Sequence, residues 1–446
     1  MGIPYYFASL IRKHPRIAQR VRSKVHTAFL GIDFNCLIHN YLDDARPIES
    51  VLEAIQMILR DVCSADRVFI AMDGLVPYAK IVQQRYRRFR KSTAEVAPAF
   101  DRHQISPGTP YMRDLAAAVR AKFPEIEVSC TAEPGEGEHK IFQKMKKGEE
   151  TVIYGLDADL ILLSLPHPTV CLLRENPDFQ IKASGFSLLS IRELAKVLPM
   201  PVAQYVAMCV LCFGNDFMPS LGMFSLREGG HERALDLYKQ SGNPDMLTPA
   251  GRAHFLNFAR AVEQGVYKEH HEKHPAIISS DMKHFEARYV SHILDGPIDM
   301  SAVVRDFWKC FHWTMIYFTT NRAPDWNYVY SYPEAPLVSH ILRFPEEMPR
   351  FGSEDPAFTV TRQLQFILPS ASLRTAKKRV LFPDELYDED SDTRIPWMRK
   401  FAWESDPRIS LPLFSALFSA PLSADCGVRQ FCLLPPASEK IPLPVQ

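Results

Sequence analysis

Thr27-Ala28-Phe29-Leu30-Gly31-Ile32-Asp33 and Arg67-Val68-Phe69-Ile70-Ala71-Met72-Asp73 are two short apolar runs, and each ends on an acid. Between them, residues 49–63 place Val51, Leu52, Ile55, Ile58, Leu59 and Val62 on a single helical stripe. Strand, helix and strand in that order form a βαβ unit, whose two strands lie parallel. Taking these two as strands over residues 27–32 and 67–72, further strand-like runs at 127–131, 151–156 and 170–173 alternate with helical patterns. Residues 1–240 therefore read as α/β, with a mostly parallel sheet covered on both faces.

The remainder is organised differently. Residues 241–300 are polar and His-rich and read as a helical connecting segment. An aromatic block follows at 307–332, and the acidic stretch 384–392 marks a loop before the C-terminal region. A second lobe is expected over residues 301–430, packed on the first, with a proline-containing tail over 431–446. A chain of 446 residues exceeds what one core normally serves, which agrees with more than one packed region.

Fifty-two Lys and Arg balance 52 Asp and Glu, so attraction to a polyanion has to come from charges sorted into patches. The sequence lacks an 18-residue apolar run and a basic-then-apolar leader, and reads as soluble and intracellular, without a membrane. Met1-Gly2 does not make a myristoylation signal, because Tyr6 stands where Ser or Thr is wanted. The nine cysteines are odd in number and scattered, as in a reducing compartment. Cys209 and Cys212 have CxxC spacing, but they sit in the apolar run 206–213 without a second pair and read as core thiols.

Acids recur at the ends of apolar runs: Asp33, Asp73, Asp157 with Asp159, and Asp216. In a parallel sheet the carboxyl ends of the strands share one edge, so these side chains should converge there. Glu136 and Glu138 join them from Pro134-Gly135-Glu136-Gly137-Glu138, where two glycines let the backbone bend close to a ligand and a helix is expected over 139–147, stopped by Gly148. Clustered carboxylates oppose one another unless cations neutralise them. Their hard oxygens point to Mg²⁺ or Mn²⁺, two ions, and to attack by water on a phosphodiester. A lone acid at a strand end is more often a cap or turn residue; seven in five segments make that reading weak.

Residues 79–91 read AKIVQQRYRRFRK, with six positive charges and no acid. On a helix, Lys80, Gln84, Arg87 and Arg88 fall at i, i+4, i+7 and i+8 and share one face able to hold an anion such as a terminal phosphate. The alternative for such a helix is a solvated basic surface, but Asp73 lies only seven residues before Lys80.

Together these residues resemble the Xrn family of 5′-to-3′ exoribonucleases. The resemblance runs through Met1-Gly2-Ile3-Pro4-Tyr5-Tyr6-Phe7, Asp33-Phe34-Asn35-Cys36-Leu37-Ile38-His39, Met72-Asp73-Gly74-Leu75-Val76-Pro77-Tyr78-Ala79-Lys80 and Gln83-Gln84-Arg85-Tyr86-Arg87-Arg88-Phe89-Arg90. It continues through Pro107-Gly108-Thr109-Pro110, Pro134-Gly135-Glu136-Gly137-Glu138-His139-Lys140, Tyr154-Gly155-Leu156-Asp157-Ala158-Asp159-Leu160 and Gly214-Asn215-Asp216-Phe217-Met218-Pro219, all in family order within residues 1–220. It implies a flap-endonuclease/PIN-like nuclease core with a mainly helical C-terminal lobe. It also implies metal-binding roles for the seven acids and a 5′-monophosphate pocket of Lys80, Gln84, Arg87 and Arg88. His39 falls where the family stacks a base, and Phe311-His312-Trp313-Thr314 with Asp325-Trp326-Asn327-Tyr328 is similar to the family's second conserved region, making Trp326 the partner of that stack.

The expectation is therefore a monomeric, two-metal 5′-to-3′ exoribonuclease acting on single-stranded RNA with a 5′-monophosphate in cytoplasmic RNA decay, a nuclear location being the alternative. Decapping or decay factors are possible partners that the residues do not identify. A structure-specific 5′ flap DNA nuclease would use similar acids, and an inactive RNA-binding scaffold is the reading from another class. Cys36 departs from the family, which usually has glycine there, the second region matches loosely, and the chain is short for the family.

Overall fold

Continuous apolar stretches such as Phe29 to Ile32 suit strands buried on both faces, and in the computed structural model they form the centre of a seven-stranded sheet. The structure describes residues 3, 6–92, 100–175, 185–269, 278–294, 298–332, 334–356 and 358–368. The acidic stretch 384–392, residues 369–430 of the expected second lobe, and the tail 431–446 lie outside the described residues.

The strands are β1 (Ala18–Arg20), β2 (Val25–Asp33), β3 (Cys63–Ala71), β4 (Glu127–Ser129), β5 (Thr151–Tyr154), β6 (Val170–Glu175) and β7 (Phe186–Ser190). Their order is β1-β7-β6-β5-β2-β3-β4. The five expected strands are all present and all parallel to their neighbours in this set. β7 runs antiparallel to β6, and β1 antiparallel to β7; neither was expected.

Both faces are covered. On one, Leu30, Ile32, Ile70 and Val152 pack with the helices Pro47–Met57 and Pro110–Lys122 through Val51, Ile55, Leu115 and Val119. On the other, Phe29, Phe69, Ile153 and Leu172 share a core with the helical half of the chain. That core includes Cys209 and Cys212, both buried free thiols, and Phe255, Leu256 and Ala259 of the helix Pro249–Lys268. Phe307, Phe311, Trp313 and Tyr317 of the helix Met300–Thr320 complete it, so most of the aromatic block is core. Among the described residues no single helix is long and apolar enough to cross a membrane.

Two helices have different ends from those expected. The helix Pro47–Met57 passes into a π-helical turn over Ile58–Val62 before β3. The helix after the paired glutamates spans Gly137–Lys144 and ends where Met145 turns extended (ψ 142°); Gly148, at φ +75°, belongs to the next turn. This helix crosses the sheet closely, since a Cβ on Gly31 would stand 2.4 Å from Ile141 Cγ2. That contact seats the glutamate segment over β2.

Candidate active site

The parallel register sets Asp33 of β2 beside Ala71 of β3 and pairs Ile32 with Tyr154 of β5. Asp33, Asp73 and the Asp157–Asp159 segment therefore leave the sheet at one edge. The glutamate segment closes over them: Gly137 N donates to Asp73 Oδ1 at 2.7 Å. A Cβ on Gly137 would lie 2.9 Å from Ala71 O and 3.3 Å from Asp33 Oδ1, so no larger residue fits this approach.

Four of the acids, Asp33, Asp73, Glu136 and Asp159, are held by specific donors. Asn35 Nδ2 donates to Asp73 Oδ2 at 2.9 Å, while Asp73 N donates to Asn35 Oδ1 at 3.3 Å. The Cys36 thiol donates to Asp33 Oδ2 at 2.9 Å. Ile3 N donates to Asp159 Oδ1 at 2.9 Å, and the Tyr317 hydroxyl donates to Glu136 Oε1 at 2.8 Å. Asp216 follows the helix Val202–Phe213, in a turn where Asn215 Oδ1 accepts from Phe217 N and Met218 N at 2.8 and 3.1 Å.

The cluster is electrostatically tense. Asp33, Glu136, Glu138, Asp159 and Asp216 are buried, whereas Asp73 and Asp157 are partly open. Burial, with Asp73 and Asp157 nearby, pushes Asp33 up to about 7. Burial and neighbouring acids also raise Asp73, Glu138 and Asp159, through Glu136 for the first two and Asp216 for the third. Glu138 Oε2 is buried without a hydrogen-bond partner. Asp216 moves the other way: burial opposes its charge, but the Lys80 ammonium outweighs that and holds it below the usual range.

Lys80 lies inside this cluster, with its Nζ 2.6 Å from Glu136 Oε2 and 2.8 Å from Asp216 Oδ2. It belongs to the helix Tyr78–Ser92, which also carries the other three basic-face candidates. Gln84 is buried and accepts at Oε1 from Gln363 Nε2 at 3.3 Å. Arg88 donates to Ile105 O at 3.1 Å and Ser106 Oγ at 2.8 Å, and burial together with Arg87 brings its pKa down to about 9. Arg87 is half-buried and makes no hydrogen bond or ion pair among the described residues.

The expected stacking residues stand apart from the acids in character. His39 is exposed at the end of the short helix Phe34–Ile38. Trp326 is half-buried; its backbone N–H donates to Ser353 O at 2.9 Å, and its backbone carbonyl accepts from Tyr78 N at 2.8 Å, which ties its loop to the start of the basic helix.

Several supporting residues were not read from the sequence. Lys140 donates to Met72 O and Glu133 O, both at 2.7 Å, pinning the loops that carry Asp73 and Glu136. Tyr317 stacks on His139 with ring centroids 3.9 Å apart, and His139 Nδ1 meets Asn321 Oδ1 at 2.9 Å. Lys140 and His139 stand in the Glu136–Gly137–Glu138 motif and could have been found there; Tyr317 carried no signal beyond its place in an apolar stripe. Among the described residues, no three Asp, Glu, His or Cys side chains close into a ready-made coordination cage.

Residues 1–176 match the family model described as the XRN 5′-3′ exonuclease N-terminus. The 5′-3′ exoribonuclease 1 of Saccharomyces cerevisiae is 26% identical over 316 residues, covering 54% of this chain and 21% of that protein. The 5′-3′ exoribonuclease 2 of the same yeast is 27% identical over 357 residues, covering 54% and 35%. This chain thus aligns with about a fifth to a third of the length of these relatives. Among solved structures, the catalytic core of Rad2 in complex with DNA superposes with a TM-score of 0.38 at 16% identity, covering 87% of this chain and 99% of that one.

Proposed function

We propose that this chain, whose residues 1–176 match the XRN 5′-3′ exonuclease N-terminus, belongs to the Xrn family and hydrolyses single-stranded RNA one nucleotide at a time from a 5′-monophosphate end. The observation that carries the reading is the meeting of acids from separate segments at the carboxyl edge of a parallel sheet, with the basic helix Tyr78–Ser92 rooted in the same cluster through Lys80. Ligands of α/β sheets bind at that edge.

The donor set fits divalent cations. It offers carboxylate oxygens, the hard ligands that Mg²⁺ and Mn²⁺ prefer, and one of them, Glu138 Oε2, is buried with nothing to bond. Mg²⁺ commonly takes one or two carboxylates and completes its shell with water and substrate phosphate, so a closed protein cage is not required. Asp33, Asp73, Glu136, Glu138, Asp157, Asp159 and Asp216 would hold two such ions. Bound there, the ions supply Lewis acidity to a phosphodiester.

The chain's own groups do the rest. Lys80 neutralises Glu136 and Asp216, lowering the repulsion that opposes closure of the site. The Arg87 guanidinium, which makes no hydrogen bond or close ion pair among the described residues, offers forked donors to a terminal phosphate. His39 and Trp326 would hold the leading base between their rings, worth on the order of 1–3 kcal/mol. The seven described cysteines are all free thiols, as in a reducing compartment.

The test is to incubate the purified chain and Mg²⁺ with one RNA sequence bearing a 5′-monophosphate, 5′-hydroxyl or 5′-triphosphate, and with DNA of the same sequence. Mononucleotides should appear from the monophosphorylated RNA alone. Cleavage of DNA flaps instead would assign the site to a structure-specific nuclease, and binding of RNA without hydrolysis would make the chain a scaffold.

A further inference from the structure

The helix Val360–Ile367 is seated on the basic helix by several contacts. Tyr78 stacks on Phe358 with ring centroids 5.2 Å apart, and the Arg85 guanidinium donates to Phe366 O and lies 4.9 Å from the Phe366 ring centroid. Gln363 is fully buried in this contact and bridges two segments of the site. Its Oε1 accepts from Val76 N at 3.2 Å, in the loop after Asp73, and its Nε2 donates to Gln84 Oε1 at 3.3 Å.

The two ends of an amide side chain are alike in shape, so their assignment has to come from the hydrogen-bond network. Here the network has a fixed origin. A backbone N–H can only donate, so Val76 requires Gln363 to present its oxygen. The Gln363 NH₂ is thereby turned on Gln84, and two NH₂ groups cannot bond to each other. Gln84 must therefore turn its own oxygen inward, which leaves its NH₂ outward; that Nε2 makes no hydrogen bond among the described residues. Turned the other way, Gln84 would present an oxygen, which repels the oxygens of a phosphate.

We propose that Gln363 is a positioning residue that sets Gln84 as a donor, and so makes the basic face selective for a phosphorylated 5′ end over a hydroxyl. The inference rests on the terminal-phosphate reading of that face. A phosphate monoester offers charged oxygens that only accept, whereas a 5′-hydroxyl offers one neutral oxygen. A charge-assisted bond to the former is the stronger.

The test uses the full chain and compares kcat/KM on 5′-monophosphate and 5′-hydroxyl RNA of one sequence, alongside thermal unfolding. Gln363→Glu keeps an acceptor for Val76 but offers Gln84 only acceptors, so the Gln84 amide turns over. The preference for the phosphorylated end should fall about tenfold or more, carried by KM. Gln363→Met imposes no polarity, and the preference should fall by a smaller factor. In a Gln84→Met background, Gln363→Glu should change the preference no further, since the amide through which it acts is gone. An unchanged preference in both Gln363 variants, or an equal loss on both RNAs, overturns the proposal and makes Gln363 merely structural. Wild-type protein that does not distinguish the two ends would overturn it together with the terminal-phosphate reading, and this result is visible before any variant is made.

Discussion

Tyr317 lies in the helical half of the chain, yet its hydroxyl donates to a carboxylate of the site at 2.8 Å while its ring stacks on His139. Removing the hydroxyl alone separates these two roles. Tyr317→Phe keeps the stack and frees Glu136 Oε1, so kcat should fall about tenfold, in keeping with a hydrogen bond to a charged group of about 1.5–3 kcal/mol. The unfolding temperature should move little. Unchanged kcat would remove Tyr317 from the group that orients the acids. The contrast with Asp33 shows what a sequence discloses at this scale. An acid closing an apolar run has few structural uses, so its type and position together point to an edge of the sheet. A tyrosine within an aromatic stripe is already explained by burial, and only tertiary packing reveals that its polar end meets Glu136.

The helix Pro249–Lys268 carries a comparable arrangement away from the acids. Glu263 is buried and accepts from Val338 N at 2.7 Å and Ser339 N at 3.1 Å, at the start of the short segment Val338–Ile341. Burial raises its pKa from 4.5 to about 7 despite those two bonds. A carboxyl whose folded pKa lies above its unfolded one contributes stability that is full below about 4.5 and is lost as pH rises through about 7. The shift corresponds to roughly 3 kcal/mol at most. Glu263→Gln should therefore lose less stability than wild type in denaturant titrations run between pH 5 and pH 8; identical pH slopes would contradict a raised Glu263. Legibility at this scale follows the strength of the periodic signal. β2 and β3 were readable from uninterrupted apolar runs ending in acids. β1, three residues with two exposed, and the antiparallel β7 were not, because so short an edge pairing leaves little trace in composition. The start of the helix Gly137–Lys144 was read two residues late, since glycine argues locally against a helix and only its approach to Ala71 and Asp33 explains it there.

Across the whole molecule, the sheet gathers Asp33, Asp73 and the Asp157–Asp159 segment at one edge, Asp216 reaches them from the turn after the helix Val202–Phe213, and the helical half closes the site through Tyr317, Asn321 and Gln363. The sheet's part was legible, because parallel strands impose a common edge whatever their loops do. The helical half's part was not, since helix packing follows from complementary surfaces that no spacing within one helix encodes. Such a cluster stores repulsion: burial and neighbouring charge raise Asp33, Asp73, Glu138 and Asp159 together. Ions that bind the folded acids and not the unfolded chain must then stabilise the fold, by about 2.7 kcal/mol at ~100 times the dissociation constant. Titrating Mg²⁺ or Mn²⁺ into chelator-treated protein should raise the unfolding temperature by several degrees and saturate. Asp157→Ala with Asp159→Ala should abolish both that rise and hydrolysis while single-stranded RNA still binds to the basic helix. A rise of equal size in the double variant would show that the ions act elsewhere on the protein, and the two-metal assignment of these acids would fail even if the chain degrades RNA.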